Sequence, residues 1–245
     1  MLAAHELDVR YGRHVALTGV TFSVGPGELV AVVGPNGAGK STLFKAICGL
    51  VPHRGTVQLG GAHCHHRRDR MLAAYIPQRA ELDLDFPITV DELTLSGRRR
   101  FRAPGRRASR ADRVAASAAL ERVGLEGLGG RPIGSLSGGQ LQRAFVARAL
   151  AQEAHLVLLD EALSGVDLPS TESLLGLFTG LCERGTSLLV ATHDLALARR
   201  RFDRCLALNG RLVADGPPSS ALDQTTVDAT FGSGAVVPEL ACSAG

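Results

Sequence analysis

Lysine is almost absent from this chain. Of its 27 basic residues only Lys40 and Lys45 are not arginine, so something at those two positions selects an ammonium over a guanidinium. Tryptophan is missing and there are only two tyrosines, which leaves few aromatic platforms on which bases could stack. The net charge of +3 is also too mild to argue for a nucleic-acid partner. No apolar run approaches the ~20 residues needed to cross a bilayer as a helix; the longest, at 29–33, 156–159 and 188–191, are strand-sized. His5, Glu6, Asp8 and Arg10 stand where a secretory leader would be apolar, so the chain is expected in the cytoplasm. Cys48, Cys64, Cys182, Cys205 and Cys242 are odd in number, scattered and without C-x-x-C spacing, and are expected as reduced thiols.

What is present describes a globular α/β chain. Residues 7–11, 15–24 and 55–59 alternate apolar with polar, the pattern of strands in a half-exposed antiparallel sheet. Residues 30–33, 156–159 and 188–191 are continuous apolar runs, the pattern of parallel strands covered on both faces. Between them, 110–123 and 139–152 carry helical spacing with no strand signal. The expected organisation is one domain, with an α/β core over 5–79 and 153–222. A helical insert over 80–152 and a weakly patterned tail over 223–245 complete it.

The selected lysine lies in Gly34-Pro35-Asn36-Gly37-Ala38-Gly39-Lys40-Ser41-Thr42. The spacing fits G-x-x-x-x-G-K-[ST], the phosphate-binding loop. An apolar strand precedes it, and a helix with Leu43, Phe44 and Ile47 on one face follows it. The glycines let backbone N–H groups converge on an anion, and the helix start adds positive potential there. A compact ammonium on a flexible stem reaches phosphates inside such a loop, where a planar fork is too bulky.

A second apolar run, 156–159, ends in Asp160 and Glu161. In a parallel sheet the carboxyl end of a strand faces the ligand crevice. Asp160 there can bind Mg²⁺ through water while Ser41 contacts it directly; Glu161 can polarise an attacking water. The plainer reading is an acidic strand end that caps the next helix. His193-Asp194 ends a third run in the same layout, and a surface histidine is its plainer reading.

Leu136-Ser137-Gly138-Gly139-Gln140 sets the class. Ser137 can cap a helix whose first N–H groups the two glycines expose, making a second anion site without a lysine. With it, the chain resembles the ATP-binding cassette family, with every motif in the family's order over residues 5–222. The resemblance implies a P-loop NTPase, RecA-like core with an antiparallel β subdomain and an inserted α-helical subdomain. It implies Tyr11 against adenine, 34–42 around the phosphates, and Gln78 on Mg²⁺ and water. Ser137 to Gln140 would meet the γ-phosphate from across a dimer. Asp160 and Glu161 match the metal and catalytic acids, Ser164 to Asp167 a loop that crosses between subunits, and His193 the histidine at the γ-phosphate. The family usually has proline after the catalytic glutamate; Ala162 stands there instead and makes that loop less rigid.

The implied cofactors are ATP and Mg²⁺, and the implied partner is a second copy of the chain in a head-to-tail homodimer. Asp85-Phe86-Pro87-Ile88-Thr89-Val90, after Tyr75-Ile76-Pro77-Gln78, resembles the branch that imports zinc or manganese. That implies an ATPase on the cytoplasmic side of the plasma membrane, working with an integral membrane permease and, indirectly, a metal-binding solute receptor. Zinc is favoured and manganese comes next. Leu82, Leu84, Phe86 and Ile88 either dock the permease or pack the insert's own core. Export and other cargoes stay open. Non-transport cassettes are disfavoured, because the insert holds no long coiled coil and the chain has one phosphate loop. His63-Cys64-His65-His66 has ligand chemistry but consecutive positions rarely converge on one ion. The eight arginines between Arg98 and Arg113 read as a solvated face or as contacts to anionic headgroups or an acidic permease loop.

Overall fold

The computed structural model describes residues 2–60, 62–63, 72–78, 83–103 and 105–232. The His63–His66 cluster lies outside these apart from the backbone of His63, as do Leu82, Cys64 and Cys242. Two sheets form. The first orders as β2 (His14–Val24), β1 (Leu2–Tyr11), β4 (Arg54–Leu59) and the short β5 (Ala62–His63), all antiparallel. The second orders as β10 (Leu212–Gly216), β9 (Arg204–Leu208), β3 (Leu29–Val33), β8 (Ser187–Thr192), β7 (Leu156–Asp160) and β6 (Ala73–Ile76). Its strands are parallel except β10, which pairs antiparallel at one edge.

The continuous apolar runs are explained by a core on each face. Val30 and Val32, Leu156 and Leu158, Leu189 and Ala191, and Leu206 and Leu208 pack in one cluster. That cluster includes α1 (Lys40–Ile47) and the antiparallel sheet, so Leu43, Phe44, Ala46 and Ile47 lie in a middle layer. The intervening residues, Ala31 and Val33, Val157 and Leu159, Leu188 and Val190, and Cys205 and Ala207, face the other way. There they meet α5 (Leu168–Cys182), whose Leu174, Leu175, Phe178 and Leu181 are buried, and α6 (Leu195–Arg201). Strand periodicity of two divides each run between two cores, so neither face tolerates charge.

Register aligns the strand ends. Val33 pairs with Thr192, Asp160 with Ala191, and Ile76 with Leu159. The loops after β3, β6, β7 and β8 therefore leave the same edge, where the carboxyl ends of parallel strands frame a crevice.

Three helices lie between β6 and β7 in the sequence: α2 (Val90–Ser96), α3 (Arg110–Arg122) and α4 (Gly138–Ala151). Thr89 with Glu92 and Ser109 with Asp112 form reciprocal capping boxes that start α2 and α3. Leu84 and Ile88 pack against the core that holds α5 and α6, whereas Phe86 is 58% exposed. Two of the candidate docking residues thus pack inward. The tail expectation is revised at its start. After α7 (Pro218–Ala221), residues 224–231 form α8 (Gln224–Phe231), capped by Asp223. Val227 and Thr230 are buried, and Asn209 Nδ2 donates to the Thr230 carbonyl at 2.9 Å. A helix this short depends on tertiary contacts, which periodicity does not reveal.

Cys182 and Cys205 are free thiols. Burial pushes the Cys205 thiol up to about 12, so it packs as an apolar group. Among the described residues no helix is long and apolar enough to cross a membrane.

Candidate active site

The crevice edge is built on the start of α1. Gly39 holds φ +95°, and a Cβ there would lie 2.6 Å from Leu17 Cδ2 and 2.9 Å from the Ala16 carbonyl. At Gly34 a Cβ would lie 2.2 Å from the Leu208 carbonyl, so the loop can cross β9 this closely only as glycine. Helix α1 has no side-chain cap and no acid in its first turn. Each of α2, α3, α4, α5, α6 and α8 is capped by a Thr, Ser or Asp side chain. The first N–H groups of α1 are thus left for a ligand's oxygens, which suits a phosphate chain.

Lys40 is 5% exposed, and its Nζ donates to the carbonyls of Gly34 at 2.7 Å and Pro35 at 3.0 Å. Desolvation holds its pKa below the ordinary value, opposed by the charges of Glu161 and Asp160. Glu161 is the hub of the carboxylate side. Its Oε2 accepts from Gln78 Nε2 at 2.8 Å, and its Oε1 lies 4.0 Å from Lys40 Nζ and 3.8 Å from His193 Nδ1. Its φ is +49°, a left-handed conformation that non-glycine residues seldom adopt and that clusters at functional positions. Asp160 is 1% exposed and accepts from the Tyr75 hydroxyl at 2.9 Å through Oδ2. Ala162 is fully buried, and Ser164 N–H closes the following turn onto the Glu161 carbonyl at 3.0 Å.

One cavity of about 430 Å³ collects Tyr11, Asn36, Gly37, Ala38, Gly39, Lys40, Ser41, Thr42, Gln78 and Glu161. His14 and Ala16 complete it and were not foreseen; both follow Tyr11 on the hairpin strand, which was the available signal. The Tyr75 bond to Asp160 spans 85 residues, a contact that local spacing does not signal.

Ser137 to Gln140 do not line this cavity. Ser137 Oγ accepts from the Gln140 N–H at 3.3 Å, and Gln140 Oε1 accepts from the Ser137 N–H at 3.1 Å. That capping box leaves Ser137 exposed and Gly138 partly exposed at the start of α4. Gly139 is buried instead, where a Cβ would lie 3.1 Å from Ser170 Cβ on α5. Its lack of a side chain is explained by packing. Asp167 also has a local task, accepting from the Ser170 N–H at 2.9 Å to cap α5.

An uncapped helix start beneath a buried lysine, facing two strand-end carboxylates, defines a P-loop nucleotide hydrolase. Residues 17–164 match the family described as ABC transporter. A relative in Chlamydia pneumoniae, named "Probable metal transport system ATP-binding protein", is 45% identical over 94% of this chain and 88% of its own length. "Manganese transport system ATP-binding protein MntB" of Halalkalibacterium halodurans is 42% identical over 92% of this chain and 90% of its own. Among solved structures, a metal-chelate type ABC transporter in an inward-facing conformation superposes with TM-score 0.81. It is 26% identical, covering 94% of this chain and 88% of its own. An ATP-binding cassette solved as a dimer with ADP and Pi after hydrolysis gives TM-score 0.73 at 26% identity, covering 89% and 99%. The chain belongs to the ABC transporter family, as its ATP-hydrolysing component.

Proposed function

We propose that this chain hydrolyses ATP to drive uptake of a divalent transition metal through a separate membrane permease, manganese ahead of zinc. The observation that carries the ATPase reading is the capless start of α1, with buried Lys40 beside it and Glu161 facing it. The metal reading rests on relatives such as the manganese-named protein, which moves manganese ahead of the zinc preference drawn from the 85–90 segment.

In this reading the N–H groups of the phosphate loop and Lys40 neutralise the phosphate oxygens, and Tyr11 lies against the adenine. Glu161, aimed by Gln78, accepts the proton of the water that attacks the γ-phosphate, giving ADP and phosphate. His193, which shares Glu161 Oε1, steadies the γ-phosphate from the β8 side. Ser41, Gln78 and Asp160 would hold Mg²⁺, whose charge offsets that of the β- and γ-oxygens. The oxygen-rich donor set fits a hard cation, and the Tyr75 bond engages Oδ2 of Asp160 and not its Oδ1.

The exposed Ser137 and partly exposed Gly138, absent from the chain's own cavity, favour a head-to-tail pair in which each copy completes the other's site. A related cassette solved as a dimer with ADP and Pi supports pairing of two copies. The permease would sit beside Phe86, and the chain would lie on the cytoplasmic side of the membrane. A solute receptor would deliver the metal from outside. Deleting the gene and measuring cellular manganese and zinc tests the cargo. A fall in manganese alone is expected, and unchanged levels of both metals would overturn metal uptake.

A further inference from the structure

A cavity of about 880 Å³ opens in the helical insert, between the 3₁₀ turn Gly97–Phe101 that follows α2 and the end of α4. Arg99, Arg100, Arg102, Arg106 and Arg148 line it, with no carboxylate among the described lining residues. None of them lines the nucleotide cavity. Close packing builds the site: a Cβ on Gly97 would lie 2.3 Å from the Arg148 carbonyl, so only glycine lets this turn rest on α4.

The nearby acids are already engaged. Asp112 takes Arg98 at 3.3 Å and the Ser109 cap, and Glu153 is shared by Arg98 at 2.7 Å and Arg100 at 3.8 Å. Among the described residues Arg99, Arg102, Arg106 and Arg148 form no ion pair. The Nε atoms of Arg102 and Arg148 are buried without a hydrogen-bond partner. Desolvation lowers the Arg148 pKa, with no carboxylate opposing it. A buried donor left unmatched costs free energy, more so when charged. A lone carboxylate brings one charge and suits one fork. A phosphate group brings more charge and three oxygens, and guanidinium forks match its geometry.

We propose that this arginine cavity is a second anion site, distinct from the nucleotide site, for a phosphate group from a soluble phosphate compound or an anionic lipid headgroup. Both sources present the same oxygens to Arg102, Arg106 and Arg148, and the test separates them.

The full chain, saturated with ADP in the absence of divalent cations, is titrated with inorganic pyrophosphate by calorimetry. It is also sedimented with vesicles of equal parts phosphatidylglycerol and phosphatidylcholine, and with phosphatidylcholine alone. Binding to pyrophosphate but not vesicles assigns a soluble ligand; binding to the mixed vesicles alone assigns a headgroup. In the active arm, Arg102→Gln with Arg148→Gln should weaken binding roughly tenfold or more. Arg106→Gln at the exposed rim, which poses no risk to folding, should weaken it by a smaller factor. Arg113→Gln, an exposed matched-charge control outside the cavity, should leave it unchanged. ADP affinity, read separately, should stay constant throughout. Failure of both probes to bind overturns the proposal. Equal affinity in the cavity variants and wild type, or an equal loss in Arg113→Gln, also overturns it.

Discussion

Gln78 Nε2 donates to Glu161 Oε2 at 2.8 Å across 83 residues of sequence, joining the entry to the helical insert with the strand-end acid. The Glu161 backbone holds φ +49° at this contact. Glu161→Gln keeps the shape and removes the proton acceptor. ATP binding should persist while phosphate release falls by on the order of 10²–10⁴-fold. ATP-dependent dimer should accumulate on a sizing column, and full turnover in this variant would remove Glu161 from its role.

Lys40→Ala should abolish measurable nucleotide binding, because it removes the lysine that lines the loop cavity beside Glu161. Lys45→Arg, in the last turn of α1, should bind nucleotide as wild type does. Fluorescent-ATP titration of both variants checks the contrast.

Lys40 also predicts a pH dependence. Its folded-state pKa lies below the unfolded value of 10.5, mainly through desolvation, so the unfolded chain binds more protons in that interval. Stability then rises with pH as the solution passes from the lowered folded value towards 10.5. Urea melts of the nucleotide-free protein should show wild type gaining on Lys40→Gln through this window. A flat difference would contradict the desolvated ammonium.

Arg98 is an internal clamp rather than part of a solvated face. Its side chain is 11% exposed and reaches Asp112, Glu153 and the Ala151 carbonyl, which is 2.9 Å away. Arg98→Ala should cost about 2–3 kcal/mol through lost charge-assisted hydrogen bonds. The melting temperature should fall by about 5–10 °C, while Arg110→Ala, an exposed site, should change it little.

Phe86 is the exposed member of the segment whose neighbours Leu84 and Ile88 pack inward. Phe86→Ala should leave basal ATPase intact and lower metal uptake in cells. Unchanged uptake would count against docking at this surface.

Local pattern alone determined the phosphate loop, three strands of each sheet, the helices that begin near 110 and 138, and the family. Each is written in neighbouring residues: glycine spacing around Lys40, apolar runs of four or five, capping residues ahead of periodic stretches. Tertiary structure decided which distant groups meet. The Tyr75–Asp160 bond, Gly139 against Ser170, the helix after Asp223 and the arginine cavity all join segments far apart in the chain. No short-range periodicity encodes such contacts, because they follow from how sheets and helices stack once each has formed. Position 139 shows the difference: its glycine reads as an anion-site residue from spacing, and the fold adds the packing demand of a facing helix.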